Sequence, residues 1–287
     1  MKTDAKCRST IPSQRVLRAL LVVCCGWLAS LHAAEPSPAA EIQQTTDSTP
    51  GEIERNANLK DLEDPTILRR RWWLQNEFDN LDAGEYNNKL TFGYIAAGKM
   101  TDNEDWGFRL EVPVVLHNAE SSKRSDAFGL GDIDVAAGTI FRLSDTVRTG
   151  GAMEMRMNSA THSRLGDDRW RLSPFWGVSW DISKHVRTEL LFQFDFSFAE
   201  EPGVKLQRTL EVHFPTTFVL PDDWSITVEY KPQVDYAKHE AFENIIRAAI
   251  SKHLKDRPLA ISLSFEQPLN SQPNQFKALL TATYFLK

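Results

Sequence analysis

The side chains of this chain with the most chemistry to offer are charges set at every second position. Arg109 and Glu111, Asp132 and Asp134, Glu154 and Arg156, Arg187 and Glu189, and Glu229 and Lys231 form five such pairs, and Asp195 adds an eleventh charge. At a spacing of two, both members of a pair project from one face of an extended strand. Groups of mixed sign on a shared face can neutralise one another, or they can line a path for a polar solute. Catalysis is a poorer fit. Asn158-Ser-Ala-Thr-His162 is the nearest approach to a nucleophile and base, and its spacing implies no third group to orient the pair. The chain has no His-Glu-x-x-His pair, no Gly-x-Ser-x-Gly elbow and no phosphate loop. His117, His213 and His253 fall on separate segments with nothing to mark them as ligands. No enzyme activity, cofactor or metal is expected.

The elements that must carry these charges are strands. Val186, Thr188, Leu190, Phe192, Phe194, Phe196 and Phe198 alternate with Arg187, Glu189, Gln193, Asp195 and Ser197. From Trp224 to Tyr236 the polar set, Ser225 through Asp235, contains no apolar residue at all. Period-two segments recur at 106–117, 147–158 and 169–182. They are about twice the five or six residues usual in globular strands, and they match the 9–11 tilted residues that cross a bilayer. A soluble sandwich with one face on its core would also alternate. The punctuation separates the two readings. Short polar turns at 144–145, 183–185, 221–223 and 255–257 take turns with longer connections at 118–129, 159–168, 199–203 and 237–241, which is the rhythm of an outer-membrane barrel.

The expected fold is therefore all-β, a transmembrane antiparallel up-and-down β-barrel of about twelve strands over residues 67–287. The strands are placed at 68–80, 88–99, 106–117, 130–143, 146–158, 169–182, 186–198, 204–220, 224–236, 242–254, 258–266 and 275–287. An even count leaves both ends of the barrel on the periplasmic side. Trp72, Trp106, Trp170, Trp180, Trp224, Tyr230, Tyr236 and Tyr284 fall on outward faces and supply interfacial girdles. Segment 239–255 is ambiguous: Phe242, Ile245, Ile246, Ala249, Ile250 and Leu254 also keep helical spacing, and it is placed as a strand because a helix would break the count.

Ahead of the barrel, Lys2, Lys6, Arg8, Arg15 and Arg18 precede an apolar run from Ala19 to Leu31, the pattern of a secretory signal peptide over 1–34. Thirteen residues are too few for a spanning helix. Cys7, Cys24 and Cys25 all lie in this segment, and Cys24 follows Leu21-Val22-Val23 where a lipidated cysteine normally follows Gly or Ala. The segment holds five basic residues and one acidic one, so its removal takes a net charge of −6 to −10. That balance argues against nucleic acid. Residues 35–66, with Pro36, Pro38 and Pro50 and hardly an aromatic, are expected to form a disordered periplasmic lead-in.

Phe128-Gly-Leu-Gly-Asp-Ile-Asp-Val-Ala-Ala-Gly-Thr-Ile-Phe141 resembles the Gly-Leu-Gly-Asp strand entry of outer-membrane proteins of the phenol-degradation meta-pathway family. The resemblance implies a small barrel acting as a transporter. Gly129 and Gly131 permit a positive φ or a bulge, after which Asp132 and Asp134 face inward beside Gly138. The last strand ends Tyr284-Phe285-Leu286-Lys287, with its aromatic two residues short of the terminal position that the insertion machinery ordinarily reads. The partners expected are the lipid bilayer, that machinery and a small-molecule solute, in the outer membrane of a Gram-negative-type bacterium. Three functions follow as expectations: a passive channel, a lumen-sealed barrel working through its outer loops, and a lipid hydrolase using Ser159.

Overall fold

The computed structural model describes residues 50–62, 68–81, 85–118, 126–200, 203–204, 206–238, 241–270 and 275–286; the expected signal segment and residues 35–49 lie outside them. Among the described residues one α-helix, α1 (Pro50–Asp61), precedes thirteen strands: β1 (Arg71–Asn80), β2 (Tyr86–Lys99), β3 (Glu104–Asn118), β4 (Ala127–Leu130), β5 (Asp134–Arg142), β6 (Val147–Arg156), β7 (Arg169–Ser183), β8 (Val186–Glu200), β9 (Arg208–Leu220), β10 (Trp224–Asp235), β11 (Ala241–His253), β12 (Leu259–Pro268) and β13 (Phe276–Phe285).

Strands that follow one another in sequence pair antiparallel, except that β4 and β5 both pair with β3, and β1 also pairs with β13 from Arg71↔Phe285 to Asn80↔Phe276. The β1–β13 and β2–β3 pairings close the sheet into a barrel. β4 and β5 both pair with β3, at Val114↔Leu130 and Glu111↔Asp134, so they are one strand interrupted at residues 131–133. The barrel has twelve staves, as the punctuation of the sequence predicts. The connections at residues 100–103, 143–146, 184–185, 221–223 and 254–258 gather at one end with the start of β1 and the end of β13. Most of the longer connections, up to residues 157–168, are at the other.

The distribution of polarity is the reverse of a soluble protein. On β10, Ser225, Thr227 and Glu229 are 2 %, 3 % and 7 % exposed, while Trp224, Ile226, Val228 and Tyr230 are 37–47 % exposed. A sandwich would bury the apolar set and hydrate the other. Here polar groups fill the inside and an apolar belt faces out, which suits a hydrocarbon surround. On the belt, Trp72 and Tyr284 stack with ring centroids 5.3 Å apart.

Within segment 239–255, Ala241–His253 form β11. Phe242, Ile246 and Ile250 lie on the belt, and Ile245 and Ala249 are buried inside. Its helical spacing arises because two apolar faces of one strand are superimposed in sequence.

The lead-in is corrected in part, since residues 50–61 are helical. Leu59 is fully buried, and Asn58, Lys60 and Asp61 are nearly so, at the short-turn end of the lumen. Two sequence features favour this helix: Pro50 at its first position, where no amide hydrogen is required, and Thr49 three residues before Glu52 in capping-box spacing.

Candidate functional site

The candidate site is the lumen, narrowed at each end by a segment that folds into it. At the short-turn end that segment is α1. Asp61 Oδ1 accepts from Arg187 Nη1 at 3.0 Å, and both side chains are only 3 % exposed. Lys60 Nζ lies 2.9 Å from Asp181 Oδ1 and 3.1 Å from the Ser183 carbonyl. Arg55 pairs with Asp223 at 2.8 Å, and Asn58 Nδ2 is 3.1 Å from His253 Nε2. Arg187 also grips Asp181 on the barrel wall with two contacts of 3.0 and 2.9 Å, so one guanidinium ties helix to wall.

At the long-loop end the segment is residues 157–168, and Asp132 holds it. Its Oδ1 accepts the Ser159 and Ala160 N–H groups, each at 3.1 Å, and its Oδ2 accepts the Asp167 N–H at 2.6 Å. The Ile133 N–H donates to Ser159 Oγ at 2.9 Å. Met157 N–H and Thr161 N–H reach the carbonyls of Ile133 and Leu130, both at 2.9 Å. The interruption between β4 and β5 is thus the seam to which the loop is stitched. The glycines of the motif serve close approach: among the described residues only Gly203 is a glycine with positive φ. A Cβ on Gly131 would stand 2.9 Å from Val115 Cγ2 and 3.0 Å from the Leu165 carbonyl, and one on Gly129 would stand 2.2 Å from Thr161 Oγ1.

Between the two segments lie two cavities. The upper, of about 260 Å³, is lined by Glu77, Lys89, Lys277, Arg156 and the tip of the inward loop. The lower, of about 220 Å³, is bounded on one side by the small residues Gly107, Ala136, Gly138, Gly150, Ala152 and Gly177, and on the other by Trp73, Leu62 and Leu68. Glu111 lines both. Where β3, β5, β6 and β7 present so little side chain, the barrel keeps space. Trp73, Ile95 and Ala97 are packed together inside the wall with Leu68 against them.

The charges singled out by spacing sit as follows. Arg109 pairs with Glu154 and lies 3.5 Å from Glu111, at the level joining the cavities. Arg156 holds Asp134 with two contacts of 2.7 and 3.0 Å and reaches Asp167 at 3.3 Å. Glu229 is bound from two sides, by His213 Nδ1 at 2.6 Å and Arg247 at 3.3 Å, and Lys231 pairs with Glu266 at 3.3 Å. Asp195, 2 % exposed, accepts from Gln193 at 3.0 Å. Glu189, 5 % exposed, lies beside Ser179 in register, one step from the Arg187–Asp181 pair. The eleven are therefore shared between the two halves of the lumen and do not converge on a single point.

Asp167 lies in the loop. Burial works against its charge, but Arg156 and Arg171 outweigh that effect and hold its carboxyl below the ordinary aspartate range. Ser159 and His162 are both spent on structure: Ser159 Oγ takes the Ile133 N–H and ties the loop to the seam, and His162 Nδ1 takes the Arg164 N–H at 3.1 Å within a turn.

Spacing did not single out three parts of this site: α1, the inward loop and Asp132 as its anchor. The first left a trace in the Thr49-Pro50-Gly-Glu52 pattern. The others depend on contacts between residues 28 to 35 positions apart.

No protein-family model matches this chain, and no curated protein does. Solved structures do resemble it. The crystal structure of an outer-membrane channel from Pseudomonas putida F1 superimposes with a TM-score of 0.63 at 12 % identity, covering 78 % of this chain and 99 % of that one. The NanC porin superimposes with a TM-score of 0.53 at 12 % identity, covering 75 % and 100 %. At such identities the shared property is the fold, a closed twelve-stranded antiparallel barrel of the outer-membrane kind.

Proposed function

We propose that this chain is a passive channel for small molecules in the outer membrane of a Gram-negative-type bacterium. One observation carries the reading: two cavities of about 260 and 220 Å³ stacked along a polar lumen and sharing Glu111 as a common wall residue. A barrel built only for strength has no need of that space, since side chains can fill a lumen of modest width. The likeness to a channel and a porin supports the reading at the level of fold. Placement of the long loops outside, with α1 on the periplasmic face, follows from the usual disposition of such barrels. Delivery there requires export through the 1–34 segment and the outer-membrane insertion machinery. The finer affinity to the phenol-degradation meta-pathway proteins rests on the Phe128–Phe141 segment alone.

Reconstitution of the full chain in planar bilayers tests the proposal. Ion conductance is expected, and silence across a panel of salts and small solutes overturns it. The second reading, a barrel sealed by its own charges, is favoured by α1 and by the Arg109–Glu154 and Arg156–Asp134 pairs. Charge reversal at Glu154 or Arg156 separates the two. A sealed network loses stability or begins to leak, whereas an open pore mainly changes its ion selectivity.

A further inference from the structure

Two guanidinium groups converge on the Asp167 carboxylate, which lines the upper cavity together with Arg156, and the second, Arg171, has hydrogen-bonding capacity to spare. Asp167 Oδ2 stands 3.3 Å from Arg156 Nη1 and 3.8 Å from Arg171 Nη1. Arg156 is already neutralised by its two contacts with Asp134. Arg171 has no comparable contact: it is 9 % exposed, and its Nε is buried without a hydrogen-bond partner. Arg156 and Arg171 are direct register partners across β6 and β7, and like charges so placed destabilise a sheet until an anion joins them. Asp167 supplies that anion from a segment that is tied down separately through its backbone. Its backbone N–H is fixed on Asp132, while its carboxylate is 39 % exposed and lines the cavity.

We propose that Arg156 and Arg171 form a carboxylate-binding subsite in the long-loop half of the lumen, and that Asp167 is its resident occupant, displaced by the carboxylate of a solute entering the upper cavity. The inference rests on the channel reading for the access of that solute. Planar guanidinium groups match a carboxylate in geometry as well as charge. The other acids of the cavity are already engaged: Glu77 by Lys89 at 3.0 Å, Asp79 by Lys277 at 3.8 Å, Glu111 by Arg109 at 3.5 Å, Asp134 by Arg156 at 2.7 Å, and Asp132 by its three backbone donors. A tethered internal competitor acts at high effective concentration and keeps solute affinity low. Low affinity is what transit requires, because a solute must leave the site as readily as it enters.

The probe is gluconate, with glucose as a neutral control of similar size. In planar bilayers carrying the full chain, gluconate is expected to interrupt the potassium chloride current and glucose is not. Asp167→Asn, which removes the competitor and leaves the loop tied to Asp132, is expected to lower the half-blocking concentration about tenfold. Arg171→Gln is expected to abolish the block, and Arg171→Lys, which keeps the charge but loses the fork, to weaken it. Calorimetric titration of gluconate into the refolded protein in detergent reads the same order of affinities without an open pore. Binding without current would sink the channel reading and leave the subsite standing. Current that responds alike to gluconate and glucose would sink the subsite and leave the channel. Equal gluconate affinity in Asp167→Asn and Arg171→Gln, or none in Asp167→Asn, also overturns the subsite.

Discussion

The two ends of the lumen are each narrowed by a segment folded inward, and different forces hold the two segments. Loop 157–168 is continuous with β6 and β7 and is fastened chiefly through its own backbone, to the Asp132 carboxylate and to the Ile133 and Leu130 carbonyls. Helix α1 enters from outside the sheet and is fastened through side chains, chiefly Asp61 on Arg187 and Lys60 on Asp181. A loop tethered at both ends loses little entropy on docking, whereas a terminal helix loses a great deal. The helix is therefore the segment that a change of charge releases more readily, and the loop is the more firmly held part of the lumen wall.

The largest expected effect breaks the helix side of this comparison. Asp61→Arg sets a guanidinium against Arg187 in a site where both side chains are 3 % exposed. Disrupting a buried pair costs about 3–5 kcal/mol. We expect α1 to leave the lumen, single-channel conductance to rise severalfold and the barrel to stay folded; unchanged conductance would show that the helix is not the narrow point.

Asp132→Ala attacks the loop side. It strands three backbone donors, at about 1–3 kcal/mol for each one left in a dry position. Proteolysis within residues 157–168 is expected to accelerate while the heat-modifiable gel mobility of the barrel is kept, and resistance equal to that of the parent chain would contradict the anchoring role. Gly166→Ala is a milder form of the same test. Its Cβ would meet the Asp132 carboxylate at 2.5 Å and the Ala160 Cβ at 2.6 Å, an overpacking worth about 1 kcal/mol. A small rise in loop cleavage with no change in conductance is expected.

The smallest effect is one of pH. The Asp167 carboxyl is held below its ordinary value by Arg156 and Arg171 against the opposing effect of burial. Its contribution is therefore complete above about pH 4, the unfolded value, and fades as pH falls through the lower folded value. Loop cleavage by an acid-active protease should rise toward low pH in the parent chain more than in Asp167→Asn. Equal slopes would remove Asp167 from the account.

Much of the fold was legible because a barrel in lipid obeys a local rule. Alternation between lipid and lumen is imposed residue by residue, so Val186–Phe198 and Trp224–Tyr236 announce both their conformation and their facing. The same rule placed Arg109, Glu154 and Glu229 inside. It could not say which charge pairs with which, because partners such as Arg109 and Glu154 are 45 positions apart. Nor could it find α1: twelve residues with one buried leucine carry little hydrophobic signal, and the helix is held by partners on the far side of the chain, Asp223 and His253 among them.

By itself, then, the sequence determined the closed antiparallel sheet, its stave count and the sign of each face, since period-two polarity and turn spacing are properties of contiguous residues. Tertiary structure alone decided how wide the lumen remains. That depends on the small residues of β3, β5, β6 and β7 falling together on one wall, on Asp132 drawing in a loop and on Arg187 capturing Asp61. Each of these is a meeting of residues distant in the chain, and only closure of the sheet brings them within reach.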